Sequence, residues 1–159
     1  MKQIFTAVDG VRSFSPDRFR IASGDVITMF DLARLEKKAG DYTAAWNSRS
    51  PIAVAAHYAA DSQMIINRGE PWVGRKGIAD MAAGFYADMP DLVVHCDGIR
   101  NANGHAIYLW TLEGIHLATK KPVKIGGWEE WDLDANMDIT LSRGWYDAAE
   151  YARQVGQAT

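Results

Sequence analysis

Apolar residues change their period along this chain. Val26, Met29, Phe30, Ala33 and Leu35, and farther on Tyr42, Ala45 and Trp46, recur at helical spacing, with Asp25 placed as an N-cap. Gly40 sits inside that run and predicts a bend or weak point. Ser50 and Pro51 restart a helix, with Ser as cap and Pro at the first position, where a missing N–H does no harm. This second segment reads PIAVAAHYAA and carries Tyr58. Residues 64–66 suit a strand, ended by Asn67, Arg68, Gly69 and Pro71, with Trp72 in the loop that follows. A third helix is predicted over 78–88, apolar at Ile78, Met81, Ala82 and Phe85, and stopped by Pro90. After Pro90 the period shortens to two, and residues 92–99, 105–118, 123–133 and 139–146 read as strands. The links between them, at 101–104, 120–122 and 134–136, are short, so the strands are antiparallel. Residues 147–154 form a closing helix.

Helices, then a strand, a helix and a run of four strands give the α+β class rather than βαβ repeats. Strands this long in a small domain predict a strongly curved antiparallel sheet with a concave face, its mouth covered by helices. Residues 1–24, broken by Gly10, Pro16 and Gly24, read as an N-terminal extension, 25–154 as the α+β domain and 155–159 as a C-terminal tail. A chain of 159 residues is enough for one such domain, which buries about 70% of the surface of the unfolded chain.

Composition narrows the function classes. The net charge is −3 and the seventeen basic residues are scattered, the densest group being Lys120, Lys121 and Lys124. A nucleic-acid binder needs a basic stripe, so none is expected as a partner. One cysteine, Cys96, cannot form an intrachain disulfide, which points to a reducing compartment. No run of eighteen apolar residues and no secretory signal is visible, so no membrane contact and a cytoplasmic location are expected. No GxGxxG, P-loop or GxSxG motif occurs, and His57 and His95 have no ligand spacing, so neither cofactor nor metal is expected.

Two strands carry the candidate chemistry. On the first, Trp110, Leu112, Gly114 and His116 share one face by alternation. His116 beside the side-chain-free Gly114 reads as a proton donor or acceptor next to a gap in an apolar wall. The competing reading is a buried histidine bonded to a backbone carbonyl. On the next strand, Glu129, Trp131 and Leu133 share the apolar face, and Trp128, Glu130 and Asp132 the other. Glu129 then points inward, where desolvation raises a carboxyl pKa towards neutral and suits it to acid–base catalysis. A one-residue bulge would exchange Glu129 for Glu130. Trp46, Tyr58, Trp72, Trp110 and Trp131 are the candidate ligand walls, each with plain core packing as its alternative.

Six segments carry a likeness to a known family: Ala44–Asn47, Ile66–Trp72, Phe85–Leu92, Trp110–His116, Gly127–Trp131 and Tyr146–Asp147. In this order and spacing they resemble the SnoaL-like polyketide cyclases of the nuclear transport factor 2-like superfamily, which includes ketosteroid isomerase. The resemblance implies a conical α+β barrel with an internal pocket for a small hydrophobic organic molecule, and a homodimer. It implies acid–base chemistry on a carbonyl compound, such as cyclisation, isomerisation or dehydration, with Glu129 where the cyclases carry an aspartate and Gly114–Ile115–His116 as their Gly-x-His segment. Two alternatives are a non-catalytic small-molecule binder with the same pocket and a dimeric interaction module.

Overall fold

The computed structural model describes residues 32–102 and 105–156. The expected extension at 1–24, Asp25 as a cap, the turn residues Asn103 and Gly104, and the last three residues of the tail lie outside the described residues.

Helix α1 spans Leu32–Asn47 and buries Leu35, Ala39, Tyr42, Ala45 and Trp46, the stripe expected of an amphipathic helix. It runs through Gly40 without interruption. Packing of Ala39 and Tyr42 on either side outweighs the glycine's weak propensity. Helix α2 is only Pro51–Ala55, capped by Ser50, whose hydroxyl accepts from the Ala53 N–H at 3.2 Å. The alanine-rich segment beyond it does not continue as helix. Strand β1, Tyr58–Ile66, takes it over, and Tyr58 is a strand residue. The His57 carbonyl accepts from the Ile139 N–H at 3.0 Å and from Lys38 Nζ at 2.9 Å. A sheet ladder therefore claims backbone that local propensity leaves helical.

The two-residue strand β2, Trp72–Val73, and helix α3, Gly74–Asp88, follow. Four long strands then succeed one another: β3 Val93–Ala102, β4 His105–Ile115, β5 Pro122–Leu133 and β6 Ile139–Tyr146. Helix α4, Ala148–Val155, begins at Asp147, whose carboxylate accepts from the Glu150 N–H, and ends at Gly156 in the left-handed region.

All six strands form one curved, unclosed sheet in the order β2-β1-β6-β5-β4-β3. Neighbours are antiparallel except β1 and β6, which run parallel. The register shifts between Cys96 and Gly98 on β3, between Tyr58 and Gln63 on β1, and between Asp132 and Leu133 on β5. Such shifts bend strands and add curvature. Four described helices, one for each helix the sequence predicts, accompany the sheet. Helix α1 packs on β3 and α3 on β1 and α2, which gives the α+β cone its covered inner face.

Candidate functional site

The register of the three central strands sets the site. Tyr108 on β4, Glu129 on β5 and Gly144 on β6 lie directly opposite one another, as do Ala106, Trp131 and Ser142. Directly opposed residues project from the same face, so both rows point inward. Trp131, Tyr108 and Ser142 are essentially inaccessible and Glu129 is 5% exposed. Trp128 and Glu130, one residue away from Glu129, project outward; the strand carries no bulge between them and the inward carboxylate is Glu129.

Glu129 has three donors. Trp131 Nε1 donates to Oε2 at 2.8 Å and Ser142 Oγ at 3.0 Å. The Tyr42 hydroxyl lies 3.3 Å from Oε2 and 3.4 Å from Oε1. Tyr58 stands behind Tyr42, with the hydroxyls 3.0 Å apart. With the Tyr42 proton on Glu129, the Tyr42 oxygen is left to accept from Tyr58, and the hydroxyls run as a chain towards the carboxylate. Burial is the main cause that pushes the Glu129 pKa above its ordinary value, and the Trp131, Ser142 and tyrosine donors oppose it. Burial also raises Tyr42 and Tyr58 well above the usual phenol range, so both stay protonated. An indole N–H can only donate, so Oε2 is held as an acceptor, and a proton on this carboxyl belongs on Oε1.

A cavity opens over this carboxyl. Its volume is about 40 Å³, so an organic ligand enters only if wall side chains turn. Trp46, Met64, Met81, Phe85, Trp110 and Tyr146 supply much of the wall, and among the described residues Glu129 is its only carboxyl. Tyr108 and Trp145 also border it.

The predicted site residues separate into groups. Glu129, Trp46 and Trp110 line the cavity. Tyr58 and Trp131 lie one layer behind, where Trp131 stacks on Tyr108 at 4.9 Å between ring centres and Tyr58 supports Tyr42. Trp72 is 41% exposed on the edge strand β2 and does not border the cavity.

His116 does not border the cavity that Glu129 lines. Strand β4 ends at Ile115, and His116 opens the turn to β5, its Nδ1 2.9 Å from Thr119 Oγ1. Glu129 is opposite Tyr108, and the eight residues from there to His116 are about 26 Å of extended chain. The space beside Gly114 is also filled. A Cβ there would lie 3.1 Å from Asp91 Oδ1 and 3.3 Å from Leu92 Cα. The glycine admits the turn before β3, where the Ile115 N–H donates to Asp91 at 2.8 Å.

Sequence reasoning missed Tyr42 and Ser142 as partners of Glu129. Tyr42 reads as one more apolar position on α1, and its hydroxyl meets a carboxylate 87 residues away. The period of β6 puts Ser142 on the Gly144 face, which is the available signal, but pairing with β5 is needed to bring it to Glu129.

A family model described as a SnoaL-like domain matches residues 39–140. No curated protein sequence matches the chain. Among solved structures, a protein with a ketosteroid isomerase-like fold from Catenulispora acidiphila, in complex with trimethylamine, superposes with a TM-score of 0.71 at 20% identity, over 77% of this chain and 94% of that one. The phenazine biosynthesis-related protein phzb2 from Pseudomonas aeruginosa gives 0.63 at 13% identity, over 81% and 92%. SalBIII, an epoxide hydrolase/cyclase-like enzyme in pyran ring formation of the polyether salinomycin, gives 0.67 at 10%, over 76% and 95%. Likeness at these identities establishes the fold alone.

Proposed function

The chain belongs to the SnoaL-like domain family, and on that premise we propose that it is an acid–base enzyme acting on a small, mostly apolar carbonyl compound held in the cavity. One observation carries the reading: a buried carboxyl stands in an otherwise apolar and aromatic wall. A carboxylate with a raised pKa is a competent base near neutral pH. Glu129 Oε1 takes the proton from a carbon α to the carbonyl and leaves an enolate. Returning that proton to another carbon completes an isomerisation; attack of the enolate carbon on a second carbonyl closes a ring. Trp131 and Ser142 hold the other carboxyl oxygen in place throughout. SalBIII, which shares the fold, is described as acting in ring formation, and this supports the reaction class.

The reading assigns proton transfer to Glu129 and none to His116, whose ring is bound at the far end of β4. Exchange of α-protons for deuterium across a panel of small ketones in D2O tests it whatever the natural substrate. The protein accelerates exchange of at least one ketone, and Glu129→Gln lowers that rate by about 10²–10⁴. His116→Ala leaves it within about twofold. Exchange that survives Glu129→Gln overturns the catalytic reading. A second reading, a binder without turnover, is favoured by the three donors that already occupy the carboxyl, and ligand binding without any exchange would select it.

The proposed macromolecular partner is a second copy of the chain. Trp128 and Trp145 face each other across β5 and β6 on the outer side of the sheet, 40% and 44% exposed. Beside them Arg143 lies 3.8 Å from Glu130 and 3.5 Å from Asp132. A self-complementary contact needs such an apolar centre with both charges at its rim.

A further inference from the structure

One residue of the lining carries a buried polar atom that the reaction above does not use. Among the described residues, Ser62 Oγ and Trp110 Nε1 are buried side-chain polar atoms without a hydrogen-bond partner. Of the two residues, only Trp110 borders the cavity. A buried N–H left unpaired costs about 1–3 kcal/mol, and nearly all such groups in folded proteins have partners. An indole cannot relieve this by turning a lone pair, because its nitrogen only donates.

The indole is also held in place. Trp110 is directly opposite Gly127 in the β4–β5 ladder. A Cβ on Gly127 would collide with Trp110 Cζ2, and would lie 2.6 Å from Trp110 Cη2 and 2.5 Å from the Trp145 carbonyl oxygen. Glycine inside a central strand weakens it, and it marks a place where another group approaches closely. Here that group is the Trp110 ring, which lies over the strand where a side chain would otherwise stand. Two of the lining residues thus carry polar groups of opposite kind, the unpartnered donor-only N–H of Trp110 on β4 and the carboxyl of Glu129 on β5, within walls that are largely apolar and aromatic.

We infer that Trp110 Nε1 is the specificity-determining donor of this site, which binds an apolar ligand through an acceptor oxygen of the ketone or quinone type. The inference deepens the proposed function, since it rests on the same cavity being a ligand site. It does not require that Glu129 turn the ligand over. A site built around a buried donor discriminates against analogues that lack the matching acceptor, because they leave the N–H unpaired. The corresponding hydrocarbon is therefore the poorer ligand even though the walls suit it.

Acetophenone and its hydrocarbon isostere α-methylstyrene are suitable probes. In ¹⁵N-correlated spectra each tryptophan gives one indole N–H signal, and Trp110's is identified by triple-resonance assignment and by its loss in Trp110→Phe. Titration with acetophenone moves that proton signal downfield and α-methylstyrene does not. Trp110→Phe, which keeps a ring and removes the N–H, weakens acetophenone by about 3–10-fold, as loss of one neutral hydrogen bond does. It leaves α-methylstyrene within about twofold. The titration uses the unaltered protein, so it decides the point even if the variant fails to fold.

Acetophenone that perturbs Met81 and Phe85 while the Trp110 N–H stays still, or that binds Trp110→Phe equally well, overturns the inference and leaves the function of Glu129 standing. A downfield shift at Trp110 combined with α-proton exchange that survives Glu129→Gln upholds the inference and overturns the catalytic reading. Absence of binding by both probes overturns the inference together with the cavity's assignment as a ligand site.

Discussion

Glu129 links stability to pH as well as to chemistry. Its pKa in the folded protein lies above the 4.5 of an ordinary glutamate, mainly through burial. The unfolded chain therefore loses this proton first. The stability associated with the protonated carboxyl is fully present below the unfolded value and is lost as pH rises through the folded one. Glu129→Gln removes that dependence. Its amide oxygen still accepts from Trp131 and Ser142, and its NH2 can donate to Tyr42. The variant is expected to gain on the parent, as a rising difference in Tm, as pH rises from the ordinary glutamate range through the folded pKa of Glu129. Calorimetry at several pH values reads this directly, and equal slopes for both proteins would show that Glu129 ionises in the fold as it does in the unfolded chain, with no raised pKa. A group that destabilises the fold while it lines a cavity fits a functional role, since sites commonly trade stability for activity.

At the scale of elements, α1 and the β4–β5 pair show different uses of glycine. Gly40 is exposed in the middle of α1, and a Cβ there would meet nothing within 4 Å. Its backbone is helical, so Gly40→Ala removes freedom from the unfolded chain without a clash. A stabilisation of about 0.4–1 kcal/mol is expected, measured as a higher urea midpoint with an unchanged m-value. Gly127 predicts the opposite outcome. Alanine there collides with the Trp110 ring and the Trp145 carbonyl, and overpacking of this kind costs about 1–3 kcal/mol. Gly127→Ala should lower the urea midpoint and alter the cavity wall together. The two glycines look alike in the sequence, and only their surroundings tell them apart.

For the whole molecule, the sheet has a covered inner face and an outer face that carries exposed tryptophan. Pairing of two copies through Trp128 and Trp145 predicts a sedimenting mass of twice the chain's 17.6 kDa at micromolar concentration. Trp128→Glu is the cleaner variant, because Trp145 also borders the inner cavity and Trp128 does not. It should weaken association by at least about tenfold, the effect of losing a central aromatic contact. A parent protein that sediments as a monomer would overturn the pairing. No described helix is long and apolar enough to cross a membrane.

The sequence by itself determined the elements whose pattern is local. The stripe on α1, the proline stop after α3, the two-residue period of β3 to β6 and the Asp147 cap of α4 all follow from residues within a few positions of one another. The same period turned Glu129 inward and Trp128 outward. Tertiary structure alone decided the rest. It converted the alanine-rich segment after α2 into β1 by offering it a parallel partner in β6, and it gave Glu129 its partners Tyr42 and Ser142 from distant elements. It also separated His116 from Glu129. Alternation fixes which side of a strand a residue faces, but the register between strands fixes how far along the sheet it lies. That register is set by pairing across the whole sheet, and it filled the gap at Gly114 with the turn before β3 while placing the cavity over Glu129 and Trp110.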